Sequence, residues 1–127
     1  MIGRKGCLHF LKKVIGNSTA DQTEAILLTE DSSLTRFANS SIHQNVAERN
    51  QLLILRVVLG KKIAVVTTNT LSRASTKDSL RKAISLAKVQ HPHEDFVSLP
   101  KPKPIPEIGT FSKDIGSLTP NRKVKIV

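Results

Sequence analysis

The feature that most constrains the fold is an apolar run joined by a glycine to a second apolar run. Residues 51–59 contain seven aliphatic side chains and leave only Arg56 polar inside the run. Gly60 and Lys61 lie between it and a second stretch, which starts after Lys62 with the shorter run 63–67. A two-residue loop that begins with glycine suits a type II′ turn, whose first loop residue needs a positive φ. The pattern therefore predicts an antiparallel hairpin, and the continuous apolar run predicts burial on both faces of the sheet or a central position in it.

Three further short strands are predicted before this hairpin. They are separated by groups of Asp, Ser, Asn, Glu and Arg that are typical of turns. The strands are residues 24–30, 34–38 and 42–47, and the turns are residues 31–33, 39–40 and 48–50. With the hairpin, the chain has about five short strands.

Two helices are predicted, one on each side of the strands. Apolar residues recur at helical spacing in residues 4–15, and Gly16 with Asn17 provides a stop because both residues tolerate positive φ. A second apolar stripe runs through residues 75–89, where Ser75 and Asp78 form a pattern like a capping box. Strands bracketed by helices indicate an α+β domain, an antiparallel sheet with two helices packed on it.

The composition changes near residue 99. Residues 99–106 alternate proline with other residues, which predicts a semi-rigid, extended linker because proline lacks an amide donor. Thr119 and Pro120 resemble the start of a short helix. We therefore expect an N-terminal α+β domain at 1–98, and at 99–127 a linker with the start of a truncated next element.

Charge and cysteine content limit the class of protein. The 127 residues carry 20 Lys and Arg against 10 Asp and Glu, a net charge of +10 that favours acidic partners or polyanions. Cys7 is the only cysteine, so an internal disulfide is impossible and a reducing compartment fits. No apolar run approaches the ~20 residues of a membrane helix, and lysines interrupt the N-terminal apolar stretch. We expect a cytoplasmic protein without a membrane segment.

Catalytic and metal-binding patterns are not found. His91, His93, Glu94 and Asp95 form the nearest cluster to a zinc site, but Pro92 and the missing ligands favour a solvated loop. Cys7 is best explained as a packed apolar residue. We expect no catalytic residue, no metal ligand and no cofactor in this chain.

Nucleic-acid binding is the alternative that the charge raises. Basic residues on the second predicted helix could contact phosphates; they are Lys77, Arg81, Lys82 and Lys88. A binder of single strands would need aromatic platforms, and the predicted strands contain only Phe37. A solvated basic helix face is the simpler explanation.

A polar stretch around two of the short strands has two interpretations. Its amide and cationic side chains suit turns and a sheet edge, but they also suit an edge that binds an extended peptide or a partner by strand addition. The candidate contact residues, with one more at the end of the last strand, are Arg36, Asn39, His43, Gln44, Asn45 and Asn69.

The same stretch carries a resemblance to a known family. Residues 34–45 (LTRFANSSIHQN) resemble the N-terminal signature of the TldD/PmbA family, also known as modulators of DNA gyrase. Four other segments resemble the family in order and spacing: 20–24, 56–62, 67–72 and 95–102. Leu52, Ile54 and Ala64 stand where many members have glycine, which leaves the fold intact and questions any close backbone approach there.

The resemblance, which is closest to PmbA-like members, implies a function that this chain would share with a longer protein. Members are several times longer, work as homodimers or as TldD-type and PmbA-type heterodimers, and degrade or mature unstructured peptides. The TldD-type zinc motif His-Glu-x-x-x-His lies beyond the N-terminal domain and has no match here, so the chain alone is expected to be inactive, with zinc only in a full-length member. A non-catalytic role in subunit assembly and extended-peptide binding follows, with a basic nucleic-acid-binding module or a vestigial fragment as the alternatives.

Overall fold

The structure is a computed structural model that describes residues 3–104, 106 and 108–126. The predicted domain bounds at residues 1 and 127, and the part of the predicted linker at Ile105, lie outside the described residues. Contacts divide the chain into two compact units. One comprises Met1–Thr29 with Asn50–Pro100, and the other comprises Glu30–Arg49 with Lys101–Val127.

The described elements are three strands and four helices, which gives an α+β architecture. In chain order they are α1 (Arg4–Ile15), β1 (Gln22–Ala38), β2 (Ser41–Leu59), β3 (Lys62–Thr68), α2 (Arg73–Val89), α3 (Lys113–Gly116) and α4 (Pro120–Val124). The strands form one sheet in the order β1-β2-β3. The prediction of an α+β fold with two main helices is confirmed.

The prediction of five short strands is wrong, because two predicted turns lie inside long strands. Residues 31–33 continue β1 and residues 48–50 continue β2. Arg49 donates to Asp31 across the pair at 2.8 and 3.0 Å, so these polar residues bind each other instead of reversing the chain. Cross-strand pairing overrides the local turn preference of such residues.

The hairpin of β2 and β3 is confirmed. The two strands pair antiparallel from Leu59 opposite Lys62 to Leu53 opposite Thr68. Gly60 has φ +59°, the positive value that the first loop position of a type II′ turn needs. The carboxylate of Asp21 accepts from the Gly60 amide at 2.6 Å, which holds the turn to the start of β1.

The core lies between one face of the sheet and helices α1 and α2. Leu53, Leu55 and Val57 of β2 are fully buried, and Ala64 of β3 lies opposite Val57. Val14 of α1 packs in the same cluster, and so do three residues of α2: Leu80, Ala83 and Ala87. Alternation along each strand explains why every second residue of β2 enters this core.

The start of α2 differs from the prediction. The N-cap is Ser72, whose hydroxyl accepts from the Ser75 amide at 3.1 Å, and the helix begins at Arg73. Asp78 does not reach back to the cap but pairs with Arg81 and Lys82. The predicted cap at Ser75 lies three residues after the observed cap. Serine is a good N-cap residue at either position, so the local sequence does not distinguish Ser72 from Ser75.

The end of α1 is where the sequence predicts it, but the mechanism differs. Gly16 has φ −64°, so the helix ends without a left-handed residue. The side-chain amide of Asn17 donates to the Lys13 carbonyl at 2.6 Å, which satisfies one of the exposed carbonyls of the last turn.

On the other face of β2, Val58 is fully buried. The segment after α2 is held at Lys61, whose carbonyl accepts from the His93 amide, and at β1, where Gln22 accepts from the Leu99 amide at 2.8 Å. This path leads from the β2–β3 turn to β1, and we attribute the complete burial of Val58 to it.

For residues 51–59 the alternative of a central position is confirmed, because β2 lies between β1 and β3. Burial on both faces is wrong for most of the run. Val57 and Val58 are both buried, but Leu52 is 36% exposed and Arg56 is exposed as well. Arg56 pairs with Glu24 of β1 at 3.3 Å.

The second unit contains the tip of the β1–β2 hairpin and the C-terminal residues. Thr119 caps α4 by accepting from the Arg122 amide, and Pro120 occupies its first turn as the sequence predicts. Lys123 of α4 donates to the Ser33 carbonyl of β1 at 3.0 Å. The described residues of the proline-rich segment 99–106 have no helix or strand, and their role as a linker stays a prediction.

Candidate functional site

The tip of the β1–β2 hairpin holds five of the six residues predicted to contact a peptide or partner. Asn39 and Ser40 form its turn with φ values of 51° and 55°. Two consecutive positive φ values define a type I′ turn, which asparagine tolerates well at its first position. Asn39 is therefore explained by the turn itself.

Two more of the predicted residues are held by the hairpin. The His43 ring lies 3.3 Å from the backbone carbonyl oxygen of Ala38, and the side-chain oxygen of Asn45 accepts from the Thr35 hydroxyl at 2.9 Å. Arg36 and Gln44 are exposed and have no side-chain partner among the described residues. These two side chains are the ones available for an external contact.

Asn69 is not part of this tip. It follows β3 in the other unit, where its side-chain oxygen accepts from the Thr70 hydroxyl at 3.4 Å. The six predicted contact residues therefore belong to two separate units of the chain.

The basic residues of α2 are brought together only in part. Lys77, Arg81 and Lys88 recur at intervals of four and seven residues and so share one side of the helix. Lys82 lies on another side and donates to Asp78 at 2.9 Å. The hydrogen bond and charge of Lys82, with a smaller effect of Arg81, lower the pKa of Asp78 despite some loss of hydration.

Two further cations lie beside this basic side: Arg73, which belongs to the same basic part of the sequence, and Lys13, which sequence reasoning missed. Together with Lys77 they line a cavity of about 470 Å³ between the end of α1 and the start of α2. A second cavity of about 470 Å³ shares Asn17 and Lys77 with the first and continues along α2 past Arg81. We call the two cavities together the α1–α2 groove.

An open apolar face of the sheet was also missed. It lies opposite the helices, where Ile26 and Leu28 of β1, Leu52 of β2 and Val65 of β3 are 36–52% exposed. Arg56 lies opposite Val65 and pairs with Glu24, so these three residues, one from each strand, lie on the same face of the sheet. Three adjacent strands thus expose apolar side chains around one ion pair. The sequence did not reveal this face because β2 has aliphatic residues on both of its sides. The apolar–polar alternation that would distinguish the two faces is therefore absent from the run.

The part of the chain that the structure describes was searched for metal-binding clusters and for membrane-spanning helices. His91, His93, Glu94 and Asp95 are exposed, and no group of three or more His, Cys, Asp or Glu residues there could hold a metal ion. Cys7 is half-buried on α1. No described helix is both long and apolar enough to cross a membrane.

Comparison with protein families gives one match. Residues 23–89 match the model of the PmbA/TldA metallopeptidase domain 1, a range that contains nearly all of the three strands and all of α2. No curated protein is significantly similar to the chain.

Three solved structures have the same fold. TldE from Thermococcus kodakarensis has 19% identity and a TM-score of 0.71 over 92% of this chain and 25% of that one. A candidate modulator of DNA gyrase from Bacteroides thetaiotaomicron has 14% identity and a TM-score of 0.73 over 99% and 30%. A second such protein, from Thermotoga maritima, has 17% identity and a TM-score of 0.70 over 94% and 27%. The chain thus spans between a quarter and a third of the length of these proteins.

Proposed function

The chain belongs to the family of the PmbA/TldA metallopeptidase domain 1, and from this premise we propose that it serves as a non-catalytic N-terminal domain that supports the assembly of a peptide-processing protein of that family. The observation that carries the proposal is the open apolar face of the sheet. We propose that this face packs against a metallopeptidase subunit or domain of the same family. The assembly would be a homodimer, or a heterodimer of a TldD-type and a PmbA-type subunit, in the cytoplasm.

The chemistry of the open face supports a protein neighbour. Ile26, Leu28, Leu52 and Val65 lie on adjacent strands, and an apolar patch on a sheet is stabilised when another surface excludes water from it. The Arg56–Glu24 ion pair lies on this face, with side chains 44% and 30% exposed. Because each charge already has its partner, covering the face leaves neither charge isolated.

A role in binding extended peptide is the second part of the proposal. β1 is an edge strand of the sheet, and an edge can accept one more strand through main-chain hydrogen bonds. At the hairpin tip, Arg36 and Gln44 are the exposed side chains that would contact such a peptide. The chain itself would hold the peptide, and hydrolysis would occur in the zinc-containing part of a full-length member.

The assembly role is tested by mixing the full chain with a full-length TldD-type subunit encoded in the same genome. We expect light scattering coupled to size-exclusion chromatography to show a complex that Leu28→Lys with Val65→Lys abolishes. Leu34→Lys is the matched control, because Leu34 is 48% exposed but lies in the other unit. Equal association of all three chains, or none with the unaltered chain, would contradict the proposal.

The absence of catalysis is tested separately with the purified chain and an unfolded peptide substrate. We expect no hydrolysis with or without added zinc. Zinc-dependent cleavage that a chelator removes would show that the chain carries a catalytic site of its own.

A further inference from the structure

Each of the two cavities of the α1–α2 groove has apolar residues in its lining. Val14 and Leu80 are buried, and Phe10, Leu71 and Ile84 are half-buried. The residues of the groove on α2 extend from Arg73 to Ile84, which corresponds to about 16 Å at 1.5 Å per residue. An extended peptide rises by about 3.3 Å per residue, so the groove matches about five residues of such a peptide.

The rim of the groove carries positive charge and no negative charge. Four cations line it: Lys13, Arg73, Lys77 and Arg81. Arg81 pairs with Asp78, whereas the other three have no ion-pair partner among the described residues. The lining residues include no Asp or Glu, so the field in the groove attracts anions.

The position of two of these cations works against the stability of the helix. Arg73 is the first residue of α2, Lys77 follows one turn later, and the first turn contains no acidic residue. Cations near a helix N-terminus are unfavourable because the amide dipoles already place positive charge there. A local arrangement that opposes stability often marks a functional surface.

We propose that the α1–α2 groove binds an acidic, apolar peptide segment of a partner protein. Carboxylates of the segment would pair with Arg73, Lys77 and Lys13, and its apolar side chains would lie on Phe10, Leu71 and Ile84. The apolar lining favours a peptide over nucleic acid, because phosphates gain nothing from it and a strand of bases would need aromatic platforms where Phe10 alone is present.

The test measures binding of a short fluorescent peptide of alternating glutamate and leucine to the full chain by anisotropy. A peptide with glutamine in place of glutamate and a DNA duplex serve as competitors. Arg73→Glu with Lys77→Glu should weaken binding of the acidic peptide by about tenfold or more, since two attractions become repulsions. This variant should melt no lower than the unaltered chain, because acidic residues suit the first turn of a helix.

Lys101→Glu with Lys103→Glu is the matched control. It makes the same change in net charge on two exposed lysines outside the groove and should leave binding close to that of the unaltered chain. Selective loss in the groove variant and weak competition by the glutamine peptide support the proposal. No saturable binding, equal loss in both variants, or tighter binding of DNA at the same residues would overturn it.

This inference does not depend on the assembly role. The groove lies on the helix side of the core and the open apolar face lies on the other side of the sheet, so each pair of variants leaves the other surface unchanged. If one experiment fails, the other proposal is still tested by its own experiment.

Discussion

Single hydroxyl and carboxyl groups set the start of α2. Ser72 satisfies the amide of Ser75, and the hydroxyl of the buried Thr76 donates to the Ser72 carbonyl at 3.0 Å. Asp78 lies one turn further and binds two cations on its own helix. The residues that organise this end of the helix are therefore not the pair that a capping-box pattern selects.

Replacing the cap tests this assignment directly. Ser72→Ala should lower the free energy of unfolding by about 1 kcal/mol, because it leaves a helix-end amide without its acceptor. Ser75→Ala should cost less, since its hydroxyl only contacts that of Thr68 at 3.3 Å. Urea denaturation of both variants measures the difference, and an equal or larger loss for Ser75→Ala would restore the predicted cap.

The pKa of Asp78 should lie below the ordinary value of 3.8. Because the folded-state pKa is lowered, the carboxylate stabilises the fold above pH 3.8, and this contribution is lost as the pH falls through the lowered pKa. An NMR titration of the side-chain carboxyl carbon measures the pKa. Lys82→Ala should move the pKa upward, since Lys82 is the main cause of the shift; no movement would assign the shift elsewhere.

At the scale of elements, β1 and β2 are long strands that continue through polar sequence. Cross-strand side-chain contacts join Glu24 to Arg56, Asp31 to Arg49 and Thr35 to Asn45. In each of these contacts the two residues are equally distant along the chain from Ser40, so the three contacts share one spacing. The polar groups that resemble turns are thus paired across the strands.

The turn of this hairpin can be improved by one substitution. Ser40→Gly should stabilise the tip by about 1 kcal/mol, because serine at φ 55° carries a left-handed cost that glycine does not. Ser41→Gly is the matched control, since Ser41 begins β2 and glycine weakens a strand. Amide hydrogen exchange of the residues beside the turn reports the change, and slower exchange in the control than in Ser40→Gly would contradict the turn assignment.

At the scale of the whole molecule, positive charge dominates. The net charge of +10 means that basic side chains outnumber the acidic ones that could pair with them. Ion pairs that are exposed to solvent contribute little to stability. Self-repulsion of such a surface weakens as salt shortens the range of the field. The same surplus would draw an acidic partner toward the α1–α2 groove.

The melting temperature should therefore rise with salt. Between ~0.01 M and ~0.15 M ionic strength the screening length falls from about 30 to 8 Å. We expect a rise of a few degrees, since about 1 kcal/mol shifts the midpoint by roughly 4–8 °C in a domain of this size. The Lys101→Glu and Lys103→Glu variant should rise less in the same calorimetric scans. A melting temperature that falls with salt would mean that attractive pairs outweigh the repulsion.

Local sequence by itself determined the hairpin around Gly60, the helix of residues 4–15, the body of α2 and the α+β class. Those features depend on neighbours a few residues apart: a turn glycine, a helical stripe, a stop at Gly16. The candidate residues of the hairpin tip and of α2 were also visible as polar and basic clusters. Their order and spacing indicated the family that the comparison then established.

Only the tertiary structure decided which of those residues lie together. Whether residues 31–33 form a turn or continue a strand depends on Arg49, which is distant in sequence. The position of the N-cap at Ser72 depends on where the chain leaves β3. The open apolar face and the α1–α2 groove exist because separate elements bring Leu28 beside Leu52 and Lys13 beside Arg73. Burial and pairing are properties of residues far apart in the chain, so no local pattern could specify them.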